Sequence, residues 1–149
     1  MNCNGLTNVS IPSTLTYIGE YAFCGCSSLK SVDIPLGITV IKRAAFSYCT
    51  SLTSVTIPET VTTIEGSAFS HCKNLQSITL PESLRSIGEY AFYECNSLTQ
   101  VRIPKAVTKV DSMAFAMCEK LVTVTIPSGL SYYSDAFLQM NHVVTIISY

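Results

Sequence analysis

The sequence predicts an α/β solenoid: one stack of repeated turns, with a parallel β-sheet on the concave face and short helices on the convex face. Three columns of residues carry this reading. All six prolines lie 23 residues apart, at Pro12, Pro35, Pro58, Pro81, Pro104 and Pro127. The six phenylalanines keep the same period at Phe23, Phe46, Phe69, Phe92 and Phe115, with Phe137 following after a one-residue deletion. Six of the seven cysteines form the third column, at Cys3, Cys26, Cys49, Cys72, Cys95 and Cys118. A residue type confined to one phase of a fixed period marks a single structural unit repeated along the chain.

One turn, Leu52 to Asn74, shows why each element is expected. Leu52, Val55 and Ile57 recur as Leu75, Ile78 and Leu80, and again as Leu98, Val101 and Ile103. The Val-x-Ile part alternates with period two, which reads as a short strand with one buried face. Pro58 ends it, because proline lacks the ladder donor. The next apolar column is Leu15, Ile38, Val61, Leu84, Val107 and Leu130, followed by Ile18, Ile41, Ile64, Ile87 and Val110. From Ile64 the period changes: Ala68, Phe69 and Cys72 follow at four, five and eight residues. That is one face of a helix about two turns long. Glu65, Ser67, Ser70 and Lys73 are its expected solvent-facing neighbours. Parallel strands stack about 4.8 Å apart and helices need about 8–10 Å, so the stack should bend with its strands inside. Residues 1–149 then form a single solenoid of about six 23-residue turns, with partial turns at both ends and no linker.

The composition is 48% hydrophobic and 13% charged, with a net charge of −1. Every turn must bury its own share, which accounts for the apolar content. A weak long-range field gives no general affinity for nucleic acid or anionic membrane. No window approaches the roughly 18 continuous apolar residues of a membrane span. Met1 to Gly5 has neither the basic nor the apolar segment of a signal peptide. Because the chain starts and stops in mid-repeat, it is expected to be a piece of a longer protein whose leader lies outside it.

The cysteines do not suggest metal or disulfide chemistry. There is no Cys-x-x-Cys; the closest pair is Cys24 and Cys26, and His71 and His142 offer no paired ligand motif. Zinc sites gather ligands at short local spacings. One thiol per turn on neighbouring helices exceeds the Cα separation of about 4.4–6.8 Å that a disulfide spans. Each is expected to be a small apolar residue packed under its helix. Cys24 stands outside the column and is the thiol expected to be exposed and reactive. Nucleotide-binding glycine loops, the nucleophile elbow and His-Glu-x-x-His are all missing, and the carboxylates are scattered. No enzyme activity and no cofactor are expected.

The consensus L-x-x-V-x-I-P-x-x-V-x-x-I-x-x-x-A-F-x-x-C-x-x resembles the BspA-like class of leucine-rich repeats. Ile57-Pro58, Ala68-Phe69 and Cys72 are its specific marks, and the period lies within the roughly 20–29 residues of such repeats. The resemblance implies a leucine-rich-repeat horseshoe. It also implies a secreted or cell-surface location, since family members are mostly surface proteins of host-associated bacteria and some parasitic protists. Some of them adhere to host matrix proteins, host cells or other microbes. The implied function is a non-enzymatic protein-binding module, part of an adhesin contacting host matrix or cell-surface ligands. A structural spacer in a larger surface protein is the alternative, and glycan binding a lesser one.

The expected contact surface is the outward side of the strands. Its candidate residues are Lys30, Asp33, Thr56, Thr79, Arg102 and Thr125, hydroxyls and charges suited to an extended peptide or a sugar chain. Tyr17, Tyr21, Tyr48, Tyr90, Tyr93, Tyr132 and Tyr133 offer a rival surface in the helix halves. In the last turn Met140 takes the cysteine place. The segment from Val143 to Tyr149, with Val144 and Ile147 at normally polar phases, reads as a terminal strand whose free edge invites self-association.

Overall fold

A computed structural model describes residues 3–138 and 145–149 of the chain. Met140, Val143 and Val144 lie outside these residues. The described strands are β1 (Ser31–Asp33), β2 (Val40–Ile41), β3 (Ser54–Thr56), β4 (Thr63–Ile64), β5 (Ser86–Ile87), β6 (Gln100–Arg102), β7 (Lys109–Val110), β8 (Thr123–Ile126), β9 (Ser131–Tyr132) and β10 (Thr145–Ser148). Every pairing is parallel.

The strands form two faces of the stack. On the first face β1 pairs with β3, and β6, β8 and β10 form a second ladder. This is the strand expected from Leu-x-x-Val-x-Ile, and its register follows the repeat: Ser31 lies beside Ser54, and Gln100 beside Thr123. On the second face β2, β4, β5, β7 and β9 make one continuous five-stranded ladder. This sheet was not expected. Its buried positions Ile41, Ile64, Ile87 and Val110 are the column read as the start of a helix. The β-branched runs Thr39-Val40-Ile41 and Thr62-Thr63-Ile64 carry the signal for it.

The expected convex helices are not formed; no helix occurs among the described residues. Each predicted helix is broken by residues in the left-handed region. Tyr21, Ala44, Ser67, Tyr90 and Met113 form one such column, and Tyr48, His71, Glu94 and Met117 another, with φ from 52° to 60°. A side chain there costs of order 1–3 kcal/mol, so the surroundings must hold it. The bonds between turns do so. The amides of Ala44, Phe46 and Tyr48 donate to the carbonyls of Gly66, Ala68 and Ser70 at 3.0, 2.9 and 2.8 Å. The amides between them, of Ala45, Ser47 and Cys49, close local turns onto Lys42, Ala44 and Phe46. Half the donors therefore serve the neighbouring turn, where a helix would keep them all. These tight turns, residues 43–49 and their repeats, make up a third face, on which each turn is bonded directly to the next as in the two sheets.

The core is one cluster running from Ile18 to Ala136. Phe23, Phe46, Phe69, Phe92, Phe115 and Phe137 form a single column of rings, with centroids 5.0 to 5.6 Å apart and planes within 11°. The rung spacing of the backbone thus sets near-parallel ring stacking. Ser70, expected to face water, is buried, as is Ser47. The one-residue deletion falls between Leu130 and Ser131. Leu130 still makes the turn bond to Pro127 that Val107 makes to Pro104, but Ser131 already pairs with Lys109.

Candidate functional site

The first sheet presents the six candidate residues along its outer side. Lys30, Asp33, Thr56, Thr79 and Arg102 are exposed and Thr125 is half-buried. Alternation puts them there: Val32, Val101 and Val124 point inward, so their neighbours must point out.

The structure divides these residues into two groups. Thr56 Oγ1 donates to Asp33 Oδ1 at 2.6 Å, joining adjacent turns. The Lys30 carbonyl accepts from both the amide and the hydroxyl of Thr53, at 2.9 and 3.0 Å. Thr79, Arg102 and Thr125 instead line one shallow groove of about 380 Å³, together with Ser77, Gln100 and Thr123. Arg102 is held at the groove edge. Its Nη1 lies 2.5 Å from Glu82 Oε1, and its guanidinium carbon lies 4.7 Å from the Tyr149 ring centroid. Tyr149 is fixed in turn by a 2.8 Å bond from its hydroxyl to the Ile103 carbonyl. Glu82 and Tyr149 were not expected at this site, since only the fold brings them to Arg102.

The groove coincides with a break in the first sheet. The strand position of this turn, Ser77–Thr79, joins neither ladder. Among the described residues, the amides from Gln76 to Leu80 make no backbone hydrogen bond. Val55, on the adjoining turn, is half-buried where Val32 and Val101 are buried. The second sheet runs through the same turns unbroken, pairing Thr63 with Ser86 and Ser86 with Lys109.

On the third face, tyrosines cluster around His71. Its ring stacks on Tyr48 with centroids 4.2 Å apart and meets Tyr93 edge-on at 5.5 Å. Its Nδ1 lies 3.0 Å from Glu94 Oε2, which Lys73 also approaches at 3.5 Å. Tyr132 belongs to β9 on the second face, away from this group.

The cysteine column lies beneath the third face, under tight turns in place of helices. Cys49, Cys72, Cys95 and Cys118 each place Sγ 3.2 to 3.3 Å from the carbonyl of the phenylalanine 26 residues earlier. Burial pushes the Cys49 and Cys118 thiols up to about 12 and those of Cys72 and Cys95 well above the usual range. They act as small core groups with a weak donor. Cys24, expected to be the exposed thiol, is only half-buried, and the exposed one is Cys3.

Comparison with known proteins decides the family. The model for the BspA type leucine rich repeat region matches residues 1–64 and 39–148, in six copies. The chain belongs to the BspA-type leucine-rich-repeat family. Among solved structures, a leucine-rich repeat protein from Bacteroides ovatus is 32% identical with a TM-score of 0.75, covering 83% of this chain and 40% of that one. A leucine rich cell surface protein from Faecalibacterium prausnitzii is 27% identical with a TM-score of 0.79, covering 95% of this chain and 48% of that one. The leucine rich repeat protein of T. pallidum is 29% identical with a TM-score of 0.77, covering 95% and 72%. This BspA-type chain therefore spans less than half the length of the first two. A search of curated proteins finds no match.

Proposed function

We propose that this BspA-type chain is a non-enzymatic protein-binding module of a secreted or cell-surface adhesin, and that the first sheet is its contact surface. The observation that carries the reading is the groove lined by Thr79, Arg102 and Thr125, where a break in the ladder leaves backbone amides beside exposed hydroxyls and a cation. An extended segment of a host matrix or cell-surface protein offers the complementary carbonyls and carboxylates. Repeat proteins bind through such extended surfaces. The similarity to a bacterial cell surface protein supports the location. No nucleic-acid partner and no membrane insertion form part of the proposal. The exposed Ile146 and Ile147 on β10 support self-association as a secondary property.

The test is binding of the full chain to a panel of immobilised extracellular-matrix proteins, beside Lys30→Ala/Arg102→Ala and Thr79→Arg/Thr125→Arg double variants. Saturable binding that falls by roughly tenfold in both variants, about 1.4 kcal/mol, supports the groove. Binding unchanged in both variants excludes this surface.

A spacer role is the second reading. Thr53, Thr62 and Thr108 direct their hydroxyls at the carbonyl of the preceding turn, at 3.0, 3.3 and 3.3 Å. Those groups stiffen the stack and leave little to a ligand. Under this reading no matrix protein binds.

A further inference from the structure

We propose that a slot between Gly25 and Tyr48 on the third face binds one neutral pyranose ring of a glycan, laid flat on the tyrosine. This site is separate from the first sheet and does not rest on the adhesin reading.

The slot arises from a missing rung. One position per turn on the third face is held by Gly25, Tyr48, His71, Glu94 and Met117. The backbone keeps the same left-handed conformation throughout, with φ of 74° at Gly25 and 60°, 60°, 55° and 60° after it. Only the first of these residues lacks a side chain. His71 covers one face of the Tyr48 ring at 4.2 Å, but nothing projects from Gly25 over the other. Tyr48 is accordingly 51% exposed. The space left is a cavity of about 350 Å³, lined by Asn4, Cys24, Gly25, Ser27, Tyr48 and Thr50. Neighbouring layers here are separated by 5.2 Å, measured between Phe23 and Phe46. A ring resting at a contact distance of about 3.5–4.0 Å fits in that depth.

The rim selects the ligand. Among the described residues, the Asn4 amide, the Ser27 hydroxyl and the Tyr48 phenol make no hydrogen bond. Among the described residues, no charged side chain lines the slot. The ligand should thus be uncharged, with a flat apolar face for the tyrosine and hydroxyls around its edge. A pyranose with equatorial hydroxyls has this form, since its axial hydrogens make one face apolar. Such pockets combine an apolar surface with a few convergent polar groups. An aromatic side chain of a protein partner would cover the ring equally well but would strand the rim's donors and acceptors, which costs affinity.

The test uses the full chain and saturation-transfer NMR with cellotriose, N,N′-diacetylchitobiose and lactose. The expected result is transfer to the axial ring protons of one sugar residue. Gly25→His places in the slot the side chain that the column carries two turns later, at a left-handed backbone conformation like that of His71, and its melting temperature checks that the fold is kept. It should reduce the signal by roughly fivefold or more, as should Tyr48→Ala, and Asn4→Ala should weaken it less. Glu119→Gln, at an exposed position three turns away, should leave it unchanged. No transfer from any of the three sugars to the unaltered chain overturns the proposal. So does transfer that persists in a Gly25→His variant of unchanged melting temperature. Chemical-shift changes at Tyr48 with a tyrosine-containing peptide but with none of the sugars would assign the slot to a protein partner instead.

Discussion

Thr56 Oγ1 reaches back one turn to Asp33 Oδ1 at 2.6 Å, on the open side of the first sheet. Both residues are exposed, so water replaces the bond when it is lost. Thr56→Val should change stability by no more than about 0.5 kcal/mol. Urea unfolding of the variant checks this, and a larger loss would mean that the bond is better shielded than its exposure indicates.

Phe69 is fully buried and stacked between Phe46 and Phe92 at 5.4 Å on each side. Phe69→Ala should cost roughly 3–5 kcal/mol, the range for a large aromatic removed from a core. Phe23, half-buried with one ring neighbour, should cost less when replaced by alanine. Denaturant midpoints for the two variants give the comparison.

Ser70 is 5% exposed; its carbonyl accepts from the Tyr48 amide and from Ser47 Oγ, and its amide donates to the Ser67 carbonyl at 3.0 Å. Ser70→Ala keeps these and should stay within about 0.5 kcal/mol of the parent. Ser70→Glu buries an unpaired carboxylate and should destabilise by several kcal/mol, with unfolding monitored across the carboxylate titration range. Equal melts for the two variants would contradict the burial.

Gly88 approaches the preceding turn so closely that an added Cβ would lie 2.7 Å from the Gly66 nitrogen and 2.8 Å from the Glu65 carbonyl carbon. Both are backbone atoms and cannot rotate away. Gly88→Ala should cost about 1–3 kcal/mol, as overpacking does. Gly5→Ala, with nothing within 4 Å, should be neutral, and thermal melts of the pair separate the two cases.

The buried thiols make stability pH-dependent at the alkaline end. Their folded-state pKa values lie above 9.0, reaching about 12 at Cys49 and Cys118, because burial disfavours the thiolate. Below about pH 9 both folded and unfolded chains hold these protons, and the full stability is present. Above it the unfolded chain releases protons that the folded chain keeps, so stability falls as pH rises from about 9 toward 12. The slope is at most about 1.4 kcal/mol per pH unit for each thiol. Urea midpoints from pH 8 to 11 should decline, and Cys72→Ala should flatten the decline. A thiol reagent on the native protein should modify Cys3 first and Cys24 more slowly, leaving the buried column untouched until unfolding.

The sequence made the first strand legible because two independent signals agree there. Val101 and Ile103 alternate with outward Arg102, and Pro104 ends the run. The second sheet was harder to see because its strands are two residues long, too short for a period to register. The helix expectation rested on Ala68, Phe69 and Cys72, whose burial is correct and whose backbone is not. A series of tight turns can bury the same residues that one helical face would. What separates the two is the left-handed backbone of Ser67 and His71, which no apolar spacing reveals. The groove at Thr79 and the slot over Tyr48 were invisible for a different reason. One comes from a ladder that fails to close and the other from a side chain that Gly25 lacks, and both are defects in a pattern read from its regularities.

The sequence by itself determined the repeat, its period, the inward-facing columns and the family, because burying a side chain once per turn constrains residue type directly. The tertiary structure decided which backbone connects those columns. Amides such as that of Phe46 have two acceptors within reach in principle, one earlier on the same chain and one on the next turn, at Ala68. Successive turns lie about 5 Å apart, as the stacked phenylalanine rings show, close enough for the second acceptor to win over a helix. That choice depends on the neighbouring turn already being in place, so it belongs to the stack and not to any one repeat.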